Sequence, residues 1–321
     1  SLDITEHRRP QDGKITMDID GNTYDLRVSI IPVVFGEKIV LRILYNNGFN
    51  YCIDNLKLLP KQRLELEKII NKNTGLVIVN GPTGSGKSTT LYTILNYVNK
   101  SEVNVVTLED PVEVIINGVN QMMVNSKEGV SFANGLRSIM RQDPDVIMVG
   151  EVRDEETAVM AVRAALTGHK VYTTIHSTEP REVYLRLEEM GIKSYLIRES
   201  LVGIISQRLI KMLCDSCKEE EIITYRGSRA KIYKRGIGCE KCNFTGYLGR
   251  ALIISINEIT KDVKKKLVKI YDDNTILTNI QMVDNLNNLL INGKISRLDY
   301  MEFIDREELE FDYEGSFKTE G

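Results

Sequence analysis

The chain has 321 residues, of which 42 % are hydrophobic and 27 % are charged, and its formal net charge at pH 7 is −3. This composition is typical of a soluble globular protein with two or three domains, and the small net charge favours neither a nucleic-acid nor an anionic-membrane partner. No apolar run approaches membrane-spanning length, and the opening residues have neither the basic nor the apolar segment of a signal peptide.

The N-terminal part of the chain predicts an antiparallel sheet within residues 14–45. Residues 14–20 alternate between polar and apolar side chains, and Asp-Gly-Asn at 20–22 is a turn signal. Further β-rich runs follow at 24–31 and 38–44, with Pro32 and Gly36 between them. A linker is expected around residues 46–48, before an amphipathic helix at 61–71.

From residue 76 onward, predicted strands and helices alternate. Strands are predicted at 76–79, 103–108, 146–149 and 171–175, and helices at 88–98, 131–141 and 154–166. Ser131 and Asp154 are the expected N-caps. This alternation predicts a parallel sheet with helices on both faces. A loop-rich segment at 214–250 follows, then helices at 262–272, 282–292 and 297–306, and an acidic tail from residue 307.

One segment carries a strong nucleotide-binding signal, because it fits the phosphate-loop pattern G-x-x-x-x-G-K-[ST] between a predicted strand and a predicted helix. Its residues are Gly81, Pro82, Thr83, Gly84, Ser85, Gly86, Lys87 and Ser88, followed by Thr89. Backbone N–H groups of such a loop and the helix N-terminus bind phosphate. Lys87 is expected to reach the β- and γ-phosphates, and the Ser88 hydroxyl to hold Mg²⁺.

Hydrolysis also needs a carboxylate that orients or deprotonates water. Glu109 and Glu113 follow the strand at 103–108, and Glu151 ends the strand at 146–149. A carboxylate at the carboxyl end of a strand faces the ligand crevice of an open α/β sheet, so Glu151 is expected to act on Mg²⁺ or its water. Glu113 is a candidate for the water-activating carboxylate, and the equally open alternative is that it is a solvated acid in a loop.

Two histidines flank the strand at 171–175. His176 follows its carboxyl end, on the crevice side, where hydrogen bonding to the γ-phosphate is expected. His169 precedes the other end, so a structural role is at least as well supported.

Four of the five cysteines form two C-x-x-C pairs separated by 21 residues: Cys214, Cys217, Cys239 and Cys242. This spacing resembles a zinc ribbon, so we predict a closed tetrahedral site for structural Zn²⁺ in a reducing compartment. The alternative is a set of free thiols in a loop.

Taken together, these motifs resemble the secretion ATPase superfamily of type II secretion and type IV pilus motors, over nearly the whole chain. Residues 107–113 resemble its Asp box, residues 143–153 its Walker B region, and residues 167–177 its His box. Segments 8–13 and 33–38 resemble the PAS-like domain that precedes the motor core in this family.

The resemblance implies a role for arginines of the PAS-like domain, which packs over the nucleotide in the family. Arg27 and Arg42 match such positions and are expected to close over the γ-phosphate. In the same interpretation Glu113 is expected to orient or activate the attacking water, with Glu109 as its substitute. Where the family usually has arginine after Gln-Asp-Gly, this chain has Lys14, which keeps the charge but lacks the bidentate fork.

The tetracysteine insert is typical of the assembly branch, PilB-like and GspE-like, rather than of PilT-like retraction ATPases. The implied fold class is α/β, with a PAS-like N-terminal α+β domain before a RecA-like P-loop ATPase domain. The expected segments are a PAS-like domain at 1–46, a linker at 47–56, an ATPase core at 57–205, a zinc-binding subdomain at 206–250 and a helical region with an acidic tail at 251–321.

The implied function is a homo-hexameric ATPase that powers extension of a type IV pilus from the cytoplasmic side of the inner membrane, with an inner-membrane platform protein of the PilC/GspF type as partner and no membrane span of its own. ATP, Mg²⁺ and Zn²⁺ are the expected ligands. Family domains that dock to the platform have no counterpart in the sequence, so a piece of a longer protein or a short paralogue is expected.

Three alternatives stay open. The nearest is a type II secretion or competence-pseudopilus ATPase with the same site. A RecA-like nucleic-acid motor is a more distant one, which the sparse aromatics and the His-box pattern do not favour, so no specific nucleic acid is expected. The third is a regulatory nucleotide binder without hydrolysis.

Overall fold

The computed structural model describes residues 2–19, 21–44, 51–125, 128–225, 228–273, 276–309 and 317–319. The chain divides into two compact units. The first unit is Ser1–Tyr51 with Val112–Ile116, and the second unit is Cys52–Pro111 with Asn117–Gly321.

The first unit is built on an antiparallel sheet in the order β1-β2-β3, which confirms the predicted N-terminal sheet. Its strands are β1 (Gln11–Ile19), β2 (Asn22–Val33) and β3 (Gly36–Leu44). Pro32 lies inside β2 and not between strands. Its missing N–H is tolerated because β1 begins at Gln11, opposite Ile30, so Pro32 has no partner residue in β1. The described residues of this unit contain no helix, so the PAS-like α+β assignment stays a prediction.

The second unit contains the remaining strands and the helices. Its strands are β4 (Gly75–Asn80), β5 (Val105–Glu109), β6 (Asn120–Met123), β7 (Val146–Val149), β8 (Lys170–Ile175), β9 (Leu201–Leu213), β10 (Glu219–Tyr225), β11 (Ser228–Lys234), β12 (Tyr247–Glu258) and β13 (Phe317–Thr319). Its helices are α1 (Pro60–Ile70), α2 (Lys87–Val98), α3 (Phe132–Ile139), α4 (Glu155–Leu166), α5 (Pro180–Glu189), α6 (Ser194–Ser200), α7 (Lys261–Lys266), α8 (Gln281–Ile291) and α9 (Arg297–Arg306).

Among the described residues, seven strands form the central sheet, in the order β12-β9-β4-β8-β7-β5-β6. All neighbours pair in parallel except β12, which runs antiparallel to β9 at one edge. Every residue of β4, β5, β7 and β8 is buried, as expected for parallel strands covered on both faces. The sequence therefore predicts the α/β class correctly. Because β4, β5, β7 and β8 are parallel, their carboxyl ends lie side by side at the same end of the sheet.

N-cap residues and apolar periodicity in the sequence predict the positions of most helices correctly. The predicted N-caps are confirmed, because Ser131 accepts a hydrogen bond from the N–H of Asn134 and Asp154 accepts one from the N–H of Thr157. The helices predicted at 282–292 and 297–306 are present as α8 and α9.

Two of the predicted segment boundaries fall inside strands of the central sheet. The boundary at 205/206 lies within β9, which continues to Leu213 in register with β12. The boundary at 250/251 lies within β12, so the predicted helical region begins with a strand of the central sheet. The segment 214–250 also contains the hairpin β10–β11, and β13 pairs with β10. Of the linker predicted at 47–56, residues 47–50 lie outside the described residues, and Ile53–Leu56 forms a 3₁₀ turn.

The free edge of β12 is covered by side-chain amides. Asn285 of α8 accepts a hydrogen bond from the Ile254 N–H at 3.0 Å, and Gln62 of α1 donates to the Ile254 carbonyl at 2.8 Å. Gln281 contacts the N–H and the carbonyl of Ile256 in the same way, at 3.1 and 3.0 Å. These amides satisfy the backbone groups that a neighbouring strand would otherwise pair, so α1 and α8 are fixed to the sheet edge.

Asn285→Ala is expected to lower the free energy of unfolding by about 2–3 kcal/mol, because it leaves the buried Ile254 N–H without a partner and removes the Asn285 hydrogen bonds of the Gln62 amide. Urea denaturation followed by circular dichroism measures this. The matched control is Asn288→Ala, on the exposed face of the same helix, which is expected to change stability by less than about 0.5 kcal/mol. Equal losses for the two variants would contradict the proposed edge cover.

Candidate nucleotide-binding site

The phosphate-loop motif lies between the carboxyl end of β4 and the first residue of α2, as the sequence predicts. Gly84 and Gly86 adopt φ values of +79° and +87°, which favour glycine. A Cβ on Gly81 would lie 2.4 Å from the carbonyl oxygen of Gln207 in β9, so only glycine fits there. Ser88 and Thr89 follow in the first turn of α2, where backbone N–H groups are free of helical partners.

The Lys87 side chain is buried against the loop itself. Its ammonium donates to the carbonyls of Gly81 at 2.8 Å and Pro82 at 3.0 Å, and it lies 3.5 Å from Nδ1 of His176. Burial lowers the pKa of Lys87, and the nearby positive charge of Arg208 lowers it further, against an opposing effect of Glu151. A phosphate anion would supply the counter-charge that this partly desolvated ammonium lacks.

Polar side chains of β9 support the loop from behind. Gln207 donates to the Ser85 carbonyl at 2.7 Å, and Ser206 donates to Oδ1 of Asn80 at 2.6 Å. Asn80 in turn donates to Oγ of Ser177 at 3.1 Å, so the loop, β9 and the segment after β8 are connected. Sequence reasoning gave no role to Asn80, Ser206 or Gln207; the available signal was the polar run 206–208 inside the mainly apolar strand β9.

One buried donor at the loop, the Ser85 hydroxyl, is able to contact an anionic ligand, whereas the side-chain amide oxygen of Gln207 only accepts hydrogen bonds. The hydroxyl oxygen of Ser85 and Oε1 of Gln207 are buried without a hydrogen-bond partner among the described residues. Buried polar groups normally have partners, and a ligand is one source of them.

Glu151 and His176 lie at the carboxyl edge of the sheet near Lys87, as predicted. Glu151 pairs with Arg153 at 2.5 Å, and its carboxylate lies 3.7 Å from Nε2 of His176. Burial and the charge of Lys87 lower the pKa of His176, against an opposing effect of Glu151. The shift favours the neutral imidazole, which donates one hydrogen bond and accepts another. The structure therefore brings together a cation, a carboxylate and a neutral imidazole.

Glu109 is buried and its carboxylate is occupied. Tyr92 donates to it at 2.5 Å, Thr107 at 2.6 Å and Gln121 at 3.1 Å. A carboxylate with three donors already in place is a poor water-activating base, so this geometry favours a structural role over the predicted catalytic one.

His169 lies at the opposite end of β8. Its Nδ1 donates to the carbonyl of Ala164 at 3.0 Å, which ties the strand to the end of α4. A structural role accounts for this contact.

Glu113, Arg27 and Arg42 belong to the first unit. Glu113 is exposed, and together with burial its negative charge raises the pKa of Tyr51. The sheet register places Lys14, Arg27 and Arg42 directly opposite one another on the three strands, with Lys14 paired to Asp25 at 2.7 Å. Like charges in one row repel each other, and a bound anion would relieve this cost.

The four cysteines form one cluster, with all Sγ atoms within 4.8 Å of one another. The Sγ atoms of Cys214 and Cys239 are 3.8 Å apart, and those of Cys217 and Cys242 are 3.9 Å apart. Four thiolates at tetrahedral angles around Zn²⁺ lie about 3.8 Å apart, so this donor set fits the metal.

Backbone amides prepare one of these sulfurs to be a thiolate. The N–H groups of Cys239 and Gly246 donate to Sγ of Cys242 at 3.2 and 3.3 Å, and the first of these bonds is the largest cause that lowers the pKa of Cys242 to about 6. Zinc binds the deprotonated sulfur, so these bonds favour a metal site over free thiols.

This fold and this loop define a P-loop nucleotide-binding protein of the RecA-like class. Residues 1–297 match the model of the Type II/IV secretion system protein family, and the chain belongs to that family.

Relatives extend this assignment. The chain is 45 % identical over 256 residues to type II secretion system protein E of Dickeya dadantii, covering 78 % of this chain and 51 % of the relative. It is 44 % identical over 257 residues to type II secretion system ATPase E of Vibrio cholerae, again covering 78 % and 51 %. The chain thus spans about half the length of the curated relatives it matches.

Solved structures share the fold. The ATPase DotB of Legionella pneumophila superimposes with a TM-score of 0.69 at 22 % identity, over 93 % of this chain and 78 % of that one. The pilus retraction motor PilT with bound ADP gives a TM-score of 0.64 at 27 % identity, over 92 % and 77 %. Among the described residues, no helix has the length and apolar character needed to cross a membrane.

We expect purified protein to contain about one zinc ion per chain, because the four thiolates close a tetrahedral site without an open position. Elemental analysis by mass spectrometry measures this. Cys239→Ser is expected to lose most of the metal, whereas Cys52→Ser, which alters the cysteine outside the cluster, is expected to keep it. A well-folded wild-type protein without zinc would contradict the assignment.

Proposed function

We propose that this chain is the ATP-hydrolysing part of a type II secretion motor. The observation that carries the proposal is the phosphate loop with its buried Lys87, supported by β9 and facing Glu151 and His176. The relatives named type II secretion system protein E support the secretion assignment.

The loop residues 81–89 would hold the phosphates of ATP through backbone N–H groups and the α2 N-terminus. The Lys87 ammonium would exchange its two carbonyl partners for the β- and γ-phosphates. Ser88 and Glu151 are proposed as the residues that hold Mg²⁺, which supplies charge neutralisation at the phosphates when bound. His176, neutral and 3.5 Å from the Lys87 ammonium, is proposed to report on the γ-phosphate by hydrogen bonding.

Hydrolysis needs a carboxylate for the attacking water, and we propose Glu113 for this role. Glu109 is less suited to this role than Glu113, because its buried carboxylate already accepts three hydrogen bonds. Arg27 and Arg42 are proposed to bind the γ-phosphate, a role that the aligned row of cations in the first unit supports. Lys14 extends this row as a single positive charge.

The secretion assignment replaces pilus extension as the favoured function. The sequence motifs alone favoured a type IV pilus assembly motor, with type II secretion as the alternative. The relatives described above carry type II secretion names, and the neighbour named as a pilus motor is a retraction motor, so the alternative fits better. We further propose a homo-hexamer that acts with an inner-membrane platform protein at the cytoplasmic face of that membrane.

Lys87→Ala is expected to weaken binding of fluorescent ADP by about tenfold to a hundredfold, because it removes the charged hydrogen-bond donor to the phosphates. Fluorescence titration in the presence of Mg²⁺ measures the Kd. Lys100→Ala, at an exposed lysine beyond the other end of α2, is the matched control and is expected to bind normally. Unchanged affinity in Lys87→Ala would refute the loop assignment.

Glu113→Gln is expected to keep nucleotide binding while kcat for phosphate release falls by about a hundredfold or more, since the amide cannot accept the water proton. Steady-state phosphate release and the Kd for ADP are measured side by side. Glu102→Gln, at an exposed loop acid, is the control and should retain full turnover. If Glu113→Gln turns over normally, the role passes to another carboxylate, with Glu151 first.

A further inference from the structure

Arg208 occupies a buried position next to the phosphate loop that the roles above do not use. It lines an open cavity of about 730 Å³ together with loop residues 82–85 and the chain at 306–308. Its guanidinium donates to the carbonyl of Gln207 at 3.0 Å and to that of Thr178 at 2.7 Å, and it pairs with Glu307 at 2.5 Å. Both partners of this ion pair are nearly inaccessible, at 4 % and 10 % side-chain exposure.

These contacts join three segments that surround the nucleotide site. Gln207 is the residue that supports the Ser85 carbonyl, and Thr178 follows His176 and Ser177 by one or two positions. Glu307 immediately follows the last residue of α9. Arg208 therefore fixes the end of α9 to both the strand and the loop that shape the phosphate site.

The other end of α9 is fixed to the tetracysteine cluster. Asp299 in the first turn of α9 accepts a hydrogen bond from the Tyr247 hydroxyl at 2.7 Å. Tyr247 follows Gly246, whose N–H donates to Sγ of Cys242 and whose carbonyl accepts from the N–H of Cys214. Along its length, α9 is held in the core by Tyr300 and Phe303.

The turn before α9 adds a second connection to the same cluster. The ammonium of Lys218 donates to the carbonyl of Gly293 at 2.8 Å, and Lys294 pairs with Asp215 at 2.9 Å. Asp215 also pairs with Lys218, at 2.6 Å. The start of α9 thus has a position defined by the loop that carries Cys214 and Cys217.

From this geometry we infer that α9 couples the tetracysteine cluster to the nucleotide site, with Arg208 and Glu307 as positioning residues at one end and Tyr247 and Asp299 at the other. The inference rests on the proposed nucleotide binding. The ten-residue helix α9 is about 15 Å long. Because a packed helix moves as a rigid body, a displacement of Asp299 also displaces Glu307.

The variant Glu307→Gln distinguishes between two roles of Glu307: positioning Arg208, or acting only through its negative charge. The positive charge of Arg208 reaches Lys87, and Glu307 partly neutralises it. If Glu307 acts only by its charge, its removal makes the site more positive and nucleotide binding tightens. If Glu307 positions Arg208, its removal loosens the contacts to Thr178 and Gln207, and binding weakens.

The experiment compares the Kd of fluorescent ADP with Mg²⁺ for Glu307→Gln, Tyr247→Phe and their combination in the full chain. Each single variant is expected to raise the Kd, by about three- to tenfold for Glu307→Gln and about two- to threefold for Tyr247→Phe. The combined variant is expected to bind no more weakly than Glu307→Gln alone, because both changes act through the same helix. Asp305→Asn, an exposed residue of the same last turn with the same loss of charge, is expected to bind like wild type.

Several results would overturn the coupling. Tighter or unchanged binding by Glu307→Gln, unchanged binding by Tyr247→Phe, or additive effects in the combined variant would each do so. Melting temperatures recorded in parallel identify mere destabilisation, which lowers Tm without changing the Kd of the folded protein. If the wild-type protein binds no nucleotide, both the proposed function and the coupling are wrong. If the wild-type protein binds nucleotide and the variants bind it with the same Kd, only the coupling is wrong.

Discussion

The close approach of the phosphate loop to β9 is the contact on which the rest of the site depends. Gly81 leaves no room for a side chain beside the Gln207 carbonyl, and the Gln207 amide holds the Ser85 carbonyl from the same strand. This contact fixes the loop while its N–H groups stay available for phosphate. It also explains why β9 carries polar residues in the middle of the sheet: they position the loop in the way a ligand-binding site requires.

The carboxyl edge of the parallel sheet then determines which side chains meet. Lys87 begins the helix after β4, Glu151 follows β7 and His176 follows β8, so strand order brings together residues far apart in sequence. Burial keeps the imidazole neutral and leaves the ammonium short of counter-charge. An anionic ligand completes this set of charges.

Local patterns predicted the elements near the loop, because apolar runs, caps and the glycine motif are encoded within short windows. Ser131 and Asp154 cap their helices as expected. The length of β9 and the position of β12 were missed because both depend on non-local pairing. β9 pairs with β4, whose residues lie more than 120 positions earlier, and β12 pairs in turn with β9. For the same reason the sequence could not assign roles to Gln207 and Arg208, because these roles arise from contacts with the loop, the segment after β8 and the end of α9. The carboxylate of Glu109 accepts hydrogen bonds from three donors, and the sequence alone could not show these contacts.

The most direct test of the account is hydrogen–deuterium exchange of the full chain with and without ADP and Mg²⁺. The account predicts that nucleotide slows exchange in residues 81–90, and also in 204–208 and 176–178, because those segments hold the loop. Exchange that is unchanged by nucleotide, or protection confined to a different part of the chain, would contradict the assignment of this loop as the nucleotide site.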